Sequence, residues 1–237
     1  MRAAAPTSAS QHSLRIALLS YRGNMRCGGQ GVYLWHLARE LSRRGHRVEV
    51  WAGPPYPDAM PFVEASHRVP GHEFFGKWFD ADRRGFLPER RPWTALYPLS
   101  LYELGASWLG FLVEPALFSL RAFRGVSRRM RQSGRFDLVH DVQSLGYGLL
   151  GFRAQGVPVV STIHHPLTVD RNASFRSDRS LREAVGTAKF YPIGMQRCVA
   201  RRLDAILTSS RTSARRIAHD FGVAPQRLID VANGVDI

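Results

Sequence analysis

Four short segments carry residue types that could do chemistry. The first is Gly28-Gly29-Gln30-Gly31, between an apolar run and an amphipathic one. Glycines let a backbone approach a phosphate closely, and the first turn of a helix offers it free N–H groups. The spacing is not Gly-x-Gly-x-x-Gly, no acidic residue ends the second strand, and no Gly-Lys-Ser/Thr follows. These departures argue against a nicotinamide-dinucleotide site and a Walker A loop. A tight turn without a ligand is the plainer alternative.

The second segment is Thr162-Ile163-His164-His165, which also ends an apolar run. A histidine there can donate or accept a hydrogen bond near neutral pH; a core or capping histidine is the alternative. Adjacent side chains project in different directions, so one of the two is expected to face a ligand. No Cys or acidic residue stands at metal-ligand spacing, so no metal site is expected. The third segment, Ser209-Ser210, either lines a cleft or caps the next helix, with Ser210 accepting a backbone N–H. No Gly-x-Ser-x-Gly elbow makes either serine a nucleophile. The fourth, Asn233-Gly234-Val235-Asp236, is a turn signal.

These segments need a frame, and the chain supplies one. Leu14–Ser20 reads as a buried strand. Leu34, Leu37, Ala38 and Leu41 then mark one face of a helix that stops at Gly45. Residues 47–51 are the next strand, giving a strand–glycine loop–helix–strand unit. Residues 53–93 are rich in Pro, Gly and aromatics and offer one possible strand, His67-Arg68-Val69. Residues 92–132 predict one or two helices broken near Pro115, with Leu104, Trp108, Phe111, Leu112 and Phe118 as the apolar face. Further strands are predicted at 136–140, 157–163, 204–208 and 227–231. Helices are expected at 144–153, from about 180 to 202 after a polar loop over 167–179, and around Ala214, Ile217, Ala218 and Phe221 up to Gly222.

This rhythm predicts an α/β, Rossmann-like domain: a mostly parallel, doubly wound sheet with helices on both faces. Ligands of such sheets bind at the carboxyl ends of the strands, where the four segments fall.

Composition narrows the partners. The 237 residues carry a formal net charge of +14, with only two lysines, Lys77 and Lys189, among the basic residues. Arginine clusters stand at 83–84, 90–91, 128–131 and 201–202. Such charge suits nucleic acid or an anionic surface, and the arginine bias of a GC-rich genome accounts for it equally well. No recognised nucleic-acid motif accompanies it, so nucleic acid is not an expected partner. Two cysteines, Cys27 and Cys198, exclude a disulfide framework and point to a reducing cytoplasm. Residues 1–13 are polar and lack an apolar h-region, so a disordered leader rather than a secretory signal is expected. No uncharged run reaches the ~20 residues of a membrane span.

Gly28-Gly29, Asp137-Leu138-Val139-His140, Val160-Ser161-Thr162-Ile163-His164, Ile206-Leu207-Thr208-Ser209-Ser210 and Val231-Ala232-Asn233-Gly234-Val235-Asp236 occur in one order. In that order and spacing they resemble the N-terminal half of the family 4 retaining glycosyltransferases, which have the GT-B fold. The likeness runs from about Leu14 to the end and is poorest over 54–132. It implies half of a GT-B fold, holding the acceptor, opposite a second domain that holds most of a nucleotide-sugar. It implies that Gly28 and Gly29 lie by the donor diphosphate and that His164 touches the donor sugar and aids transfer; Gln30, His165, Ser209 and Ser210 are candidates to line the cleft. Asn233, Gly234 and Asp236 would lead into the interdomain linker. The resemblance implies no metal and no cofactor beyond the nucleotide-sugar co-substrate. The family's Glu-x7-Glu motif is absent, since no two glutamates here are eight apart. The second domain is thus expected to be missing from this chain.

Two functions follow as expectations. One is the acceptor half of a transferase, inactive alone and acting on a glycan, a lipid or polyprenyl carrier, or a small molecule. The other is a non-catalytic module that pairs with a separate donor-binding chain. The apolar-plus-basic stretch over 93–131 allows cytoplasmic protein to sit peripherally on an anionic inner membrane face. An ordinary core helix with a solvated basic end is the alternative.

Overall fold

The computed structural model describes residues 12–25, 29–71 and 96–234. Its centre is a seven-stranded sheet in the order β3-β2-β1-β4-β5-β6-β7. The strands are β1 (Arg15–Ser20), β2 (Arg47–Ala52), β3 (Ala65–Arg68), β4 (Leu138–Val142), β5 (Val159–Thr162), β6 (Ala205–Thr208) and β7 (Leu228–Asp230). All six pairings are parallel. The expected "mostly parallel" sheet is therefore parallel throughout.

Side chains alternate across this sheet, so each strand serves two cores. On one face, Ile16, Leu18, Val48 and Val50 pack against Leu34 and Ala38 of α1 (Gly29–Arg43). Gly45, at φ 85°, turns the chain out of that helix. On the other face, Ala17, Leu19, Val139 and Val159 meet Phe118, Ala122 and Val126 of one helix and Leu149 and Phe152 of another. Those helices are α3 (Glu114–Ser133) and α4 (Gly148–Ala154), and α2 (Pro98–Trp108) precedes them. The break between α2 and α3 falls where Pro115 is expected to put it. Gly148 brings α4 against α3 so closely that a Cβ there would stand 2.1 Å from the Ser119 carbonyl oxygen.

After β5 come α5 (Leu167–Ser177), α6 (Leu181–Phe190) and α7 (Ile193–Ala200), and after β6 comes α8 (Arg211–Phe221). Ile193, Met195, Val199, Ile217 and Phe221 join the second core. On the α1 face beyond β4, cover thins out. Val160, Ala205 and Leu207 are only half-buried, and Ile229 is 48% exposed.

Several sequence expectations need correction. The polar loop over 167–179 is mostly the helix α5, which buries only Thr168 and so shows no apolar stripe. The expected strand 136–140 is β4, two residues later, so Asp141 lies inside it. The predicted apolar face over 92–132 holds only in part: Leu112 and Phe118 are buried, but Trp108 and Phe111 are 67% and 38% exposed, and in α2 Ser100, Glu103, Ala106 and Ser107 turn inward. Glu103 is tolerated there because Arg121 meets it at 2.6 Å.

The arginine clusters are partly structural. Arg129 reaches the buried Glu49 at 3.0 Å, Arg201 donates to the Phe221 carbonyl, and Arg202 donates to the Cys198 carbonyl. The pairs 83–84 and 90–91, and most of the expected 1–13 leader, lie outside the described residues.

Candidate functional site

The order 3-2-1-4-5-6-7 reverses direction between β1 and β4, which opens a crevice at their carboxyl ends. Three segments converge there: residues 21–25 with the start of α1, the turn after β4 and the end of β5.

The helix α1 opens at Gly29, which is exposed. Gly31, two residues further on, packs so tightly that a Cβ would stand 2.1 Å from the Asn24 carbonyl oxygen. Gln30 and Tyr33, three apart, share a helix face. Gln30 Nε2 approaches the Tyr21 hydroxyl at 3.5 Å, while its Oε1 is buried without a partner among the described residues. The Tyr33 hydroxyl lies 3.0 Å from Thr162 Oγ1, and its ring stands edge-on to His164 with centroids 4.4 Å apart.

Thr162 meets a second histidine from behind. His140 Nε2 lies 2.8 Å from its hydroxyl. Burial, then the neighbouring His164, push the His140 pKa down to about 4, so it is neutral at pH 7. Burial also lowers His164 from its ordinary value. Its Nε2 is shielded from solvent and has no hydrogen-bond partner among the described residues. A buried polar atom left unpaired costs stability and marks a place where function competes with folding. A neutral imidazole can serve an incoming oxygen as donor or acceptor.

The turn after β4 is built on Asp141, which is fully buried. Its carboxylate accepts from the Ser144 N–H at 3.0 Å, the Leu145 N–H at 3.1 Å, the Ser161 hydroxyl at 2.8 Å and the Ser144 hydroxyl. Burial raises its pKa against the lowering effect of those bonds. The turn puts Gln143 and Leu145, neither a glycine, at φ 58° and 48°. Gln143 then bonds to the backbone of both His164 and His165.

Beside the crevice a small cavity is lined by Tyr21, Pro54, Pro70, Glu103, Glu114 and Arg121 among others, with about 20 Å³ free, room for one water. Its carboxylates are already paired, Glu103 with Arg121 and Glu114 with Arg22 at 2.8 Å.

Of the residues singled out in the sequence, Gln30 and His164 come together around Tyr33, and Gly29 starts the helix that carries Gln30 and Tyr33. Gly28 and Asp236 lie outside the described residues. His165 turns its ring outward to Asp170 at 3.1 Å and is half-exposed. Ser210 is exposed and caps α8, accepting from the Ser213 N–H at 3.1 Å; that is the plainer of its two readings. Ser209 is half-buried just past β6, and Asn233 and Gly234 are exposed beyond β7. The sequence reading missed Tyr33, His140, Asp141 and Gln143. Tyr33 was within reach through its three-residue spacing from Gln30, and Asp141 through the Asp-x-x-Ser pattern of a side-chain-capped turn.

The model of Glycosyltransferase Family 4 matches residues 27–237. The MMP α-(1→4)-mannosyltransferase of Mycolicibacterium hassiacum is 42% identical over 223 residues, covering 94% of this chain and 52% of that protein. The D-inositol 3-phosphate glycosyltransferase of Gordonia bronchialis is 26% identical over 228 residues, 95% of this chain and 42% of the other. The chain thus spans about half the length of the curated relatives it matches. Among solved structures, Anabaena HepE in complex with UDP-glucose superposes with a TM-score of 0.50 at 14% identity, covering 94% of this chain and 44% of that one. The calicheamicin glycosyltransferase gives 0.50 at 13%, covering 93% and 53%. At such identities the likeness is one of fold. No helix among the described residues is long and apolar enough to cross a membrane.

Proposed function

Because the chain belongs to glycosyltransferase family 4, we propose that it is the acceptor-side half of a transferase that moves a sugar from a nucleotide-sugar to a hydroxyl-bearing acceptor. The observation that carries this reading is the Nε2 of His164, buried without a partner among the described residues on a ring held edge-on to Tyr33 near the start of α1. In this reading the free N–H groups and positive end of α1, with Gly28 and Gly29, face the donor diphosphate. His164 bonds the donor sugar and stabilises it as the leaving diphosphate departs. The charge of the diphosphate is met by that helix end and by basic residues, with no resident metal. Asn233, Gly234 and Asp236 lead toward the half that selects the donor, on the same chain or on a separate one.

The test is transfer. The 237-residue chain with a nucleotide-sugar alone is expected to give no product; joined to a family donor domain it is expected to transfer. Within the joined enzyme, His164→Ala removes one hydrogen bond made in the transition state. That costs about 1–3 kcal/mol, or roughly fivefold to 150-fold in kcat. Equal turnover with and without His164 sinks this assignment.

A lipid or polyprenyl acceptor, taken from an anionic membrane face, is favoured by one observation: Leu96, Tyr97, Leu101, Tyr102, Trp108 and Leu109 are all exposed. Sedimentation with anionic and with neutral liposomes tests it. No preference between the two overturns the membrane reading and leaves a water-borne acceptor.

A further inference from the structure

The last paired residues of β4 and β5 are Val142 and Thr162. One residue on, β4 leaves the sheet, because Asp141 gathers the N–H groups of Ser144 and Leu145 into a turn. The main chain at Gln143, at φ 58°, no longer runs alongside β5. The ladder nevertheless continues through a side chain. Gln143 Oε1 accepts from the His164 N–H at 3.0 Å, and its Nε2 donates to the His165 carbonyl at 2.9 Å. Both ends of one amide are therefore spent on the backbone flanking His164. Gln143 is itself 9% exposed, so the amide is shielded from competing water. On the far side the His164 ring leans on Tyr33, which Thr162 in turn holds.

We propose that Gln143 is the positioning residue of this site: its amide replaces the missing strand pairing and fixes the backbone from which His164 presents its ring to the crevice. The proposal rests on the reading of His164 as the group that meets the donor sugar. Residue type matters here. A glutamate keeps the acceptor for the His164 N–H but cannot donate to the His165 carbonyl. An asparagine tolerates the left-handed backbone and keeps both functions, yet falls short by one carbon–carbon bond of about 1.5 Å.

The test is NMR on the isotope-labelled 237-residue chain, reading hydrogen exchange at individual amides and the contact between the Tyr33 and His164 rings. In Gln143→Asn the His164 N–H is expected to exchange at least tenfold faster and the ring contact to weaken. The Ser144 and Leu145 amides, which bond to Asp141, should keep their protection. In Gln143→Glu the His164 amide should stay protected, because its acceptor remains, while the ring contact should weaken, because the His165 carbonyl has lost its donor. Unchanged His164 exchange and ring contact in Gln143→Asn overturn the proposal. So does loss of protection at Ser144 and Leu145 together with His164, which makes Gln143 merely part of the turn. If Gln143→Asn fails to fold, a ring contact as strong as wild type in a folded Gln143→Glu overturns it too. None of these readouts uses turnover. A failure here therefore leaves the transfer reading standing, and a His164 held this way but dispensable for transfer overturns that reading alone.

Discussion

Replacing Glu49 by glutamine should destabilise the domain by about 3 kcal/mol. Glu49 is a fully buried carboxylate in β2 that meets Arg15 at 2.6 Å, His67 at 2.8 Å and Arg129 at 3.0 Å. Removing one partner of a buried ion pair costs roughly 3–5 kcal/mol, since the other charge is left uncompensated. Two features place this case at the low end. Arg15 keeps the carbonyls of Ser133 and Gly134 at 2.6 and 2.7 Å, and the glutamine oxygen can still accept one bond. Arg129 is 31% exposed, and so adds little. With a urea slope of about 2–3 kcal/mol per M for a chain this size, the midpoint should fall by roughly 1 M. Urea unfolding followed by circular dichroism reads this directly. A shift below about 0.3 M at unchanged slope would refute the claim that Glu49 compensates the buried charge of Arg15. The pH dependence has a definite sign. Burial pushes the Glu49 carboxyl up, but bonds from Arg15, Arg129 and His67 outweigh it and hold the pKa below the ordinary value. The charged form's contribution is therefore present above the unfolded value near 4.3. It is lost as pH falls through the lower folded value, and the gap between wild type and variant should close there.

Asp141→Asn should be near-neutral or stabilising at pH 7, because its oxygen can take the three bonds made to Oδ2 and its amine can donate to the Ser144 hydroxyl. Asp141→Ala should cost at least about 2 kcal/mol by stranding two buried N–H groups; thermal melts of both check this. His140, neutral and buried with a pKa of about 4, binds its proton more weakly folded than unfolded. Stability should therefore fall as pH drops from about 6.5 to 4, by up to roughly 3 kcal/mol from this group; a carbon-13 titration of its ring, paired with melts, reads both quantities. Gly148→Ala should destabilise by about 1–3 kcal/mol, since the obstacle is the Ser119 backbone rather than a movable side chain; a melt that does not move argues against that close approach. Ile229→Lys, on the thinly covered face, should change stability by less than about 0.5 kcal/mol in this chain, again by urea titration.

The frame was legible in the sequence where local pattern and tertiary role agree. β1, α1 with its Gly45 stop, and α8 with Gly222 at φ 64° fall where the apolar spacing puts them. It failed where tertiary partners override pattern. Phe136 is buried, but its strand begins only at Leu138, so β4 was misplaced by two residues and Asp141 was hidden. Trp108 and Phe111 look like core and are exposed, while Glu103 looks like surface and is buried on Arg121. The site divides in the same way. His164 and the helix-opening glycine announce themselves by type and place. Gln143 carries no such signal, because a left-handed glutamine after a strand is dictated by a turn that only the Asp141 carboxylate explains.

The pairing of β1 with β4 joins positions 122 residues apart, as the bond from the Arg15 N–H to Asp137 records. On a ribosome adding about 5–20 residues per second, the first strand waits roughly 6–25 s for that neighbour. During the wait it can pair with β2 and cover one face with α1, while its other edge stays open to any extended chain nearby. The strand that frames the crevice is thus also an open seam of the nascent protein. Charged or slow-pairing substitutions in β4 should lower the yield of folded protein more than their effect on the finished fold would suggest.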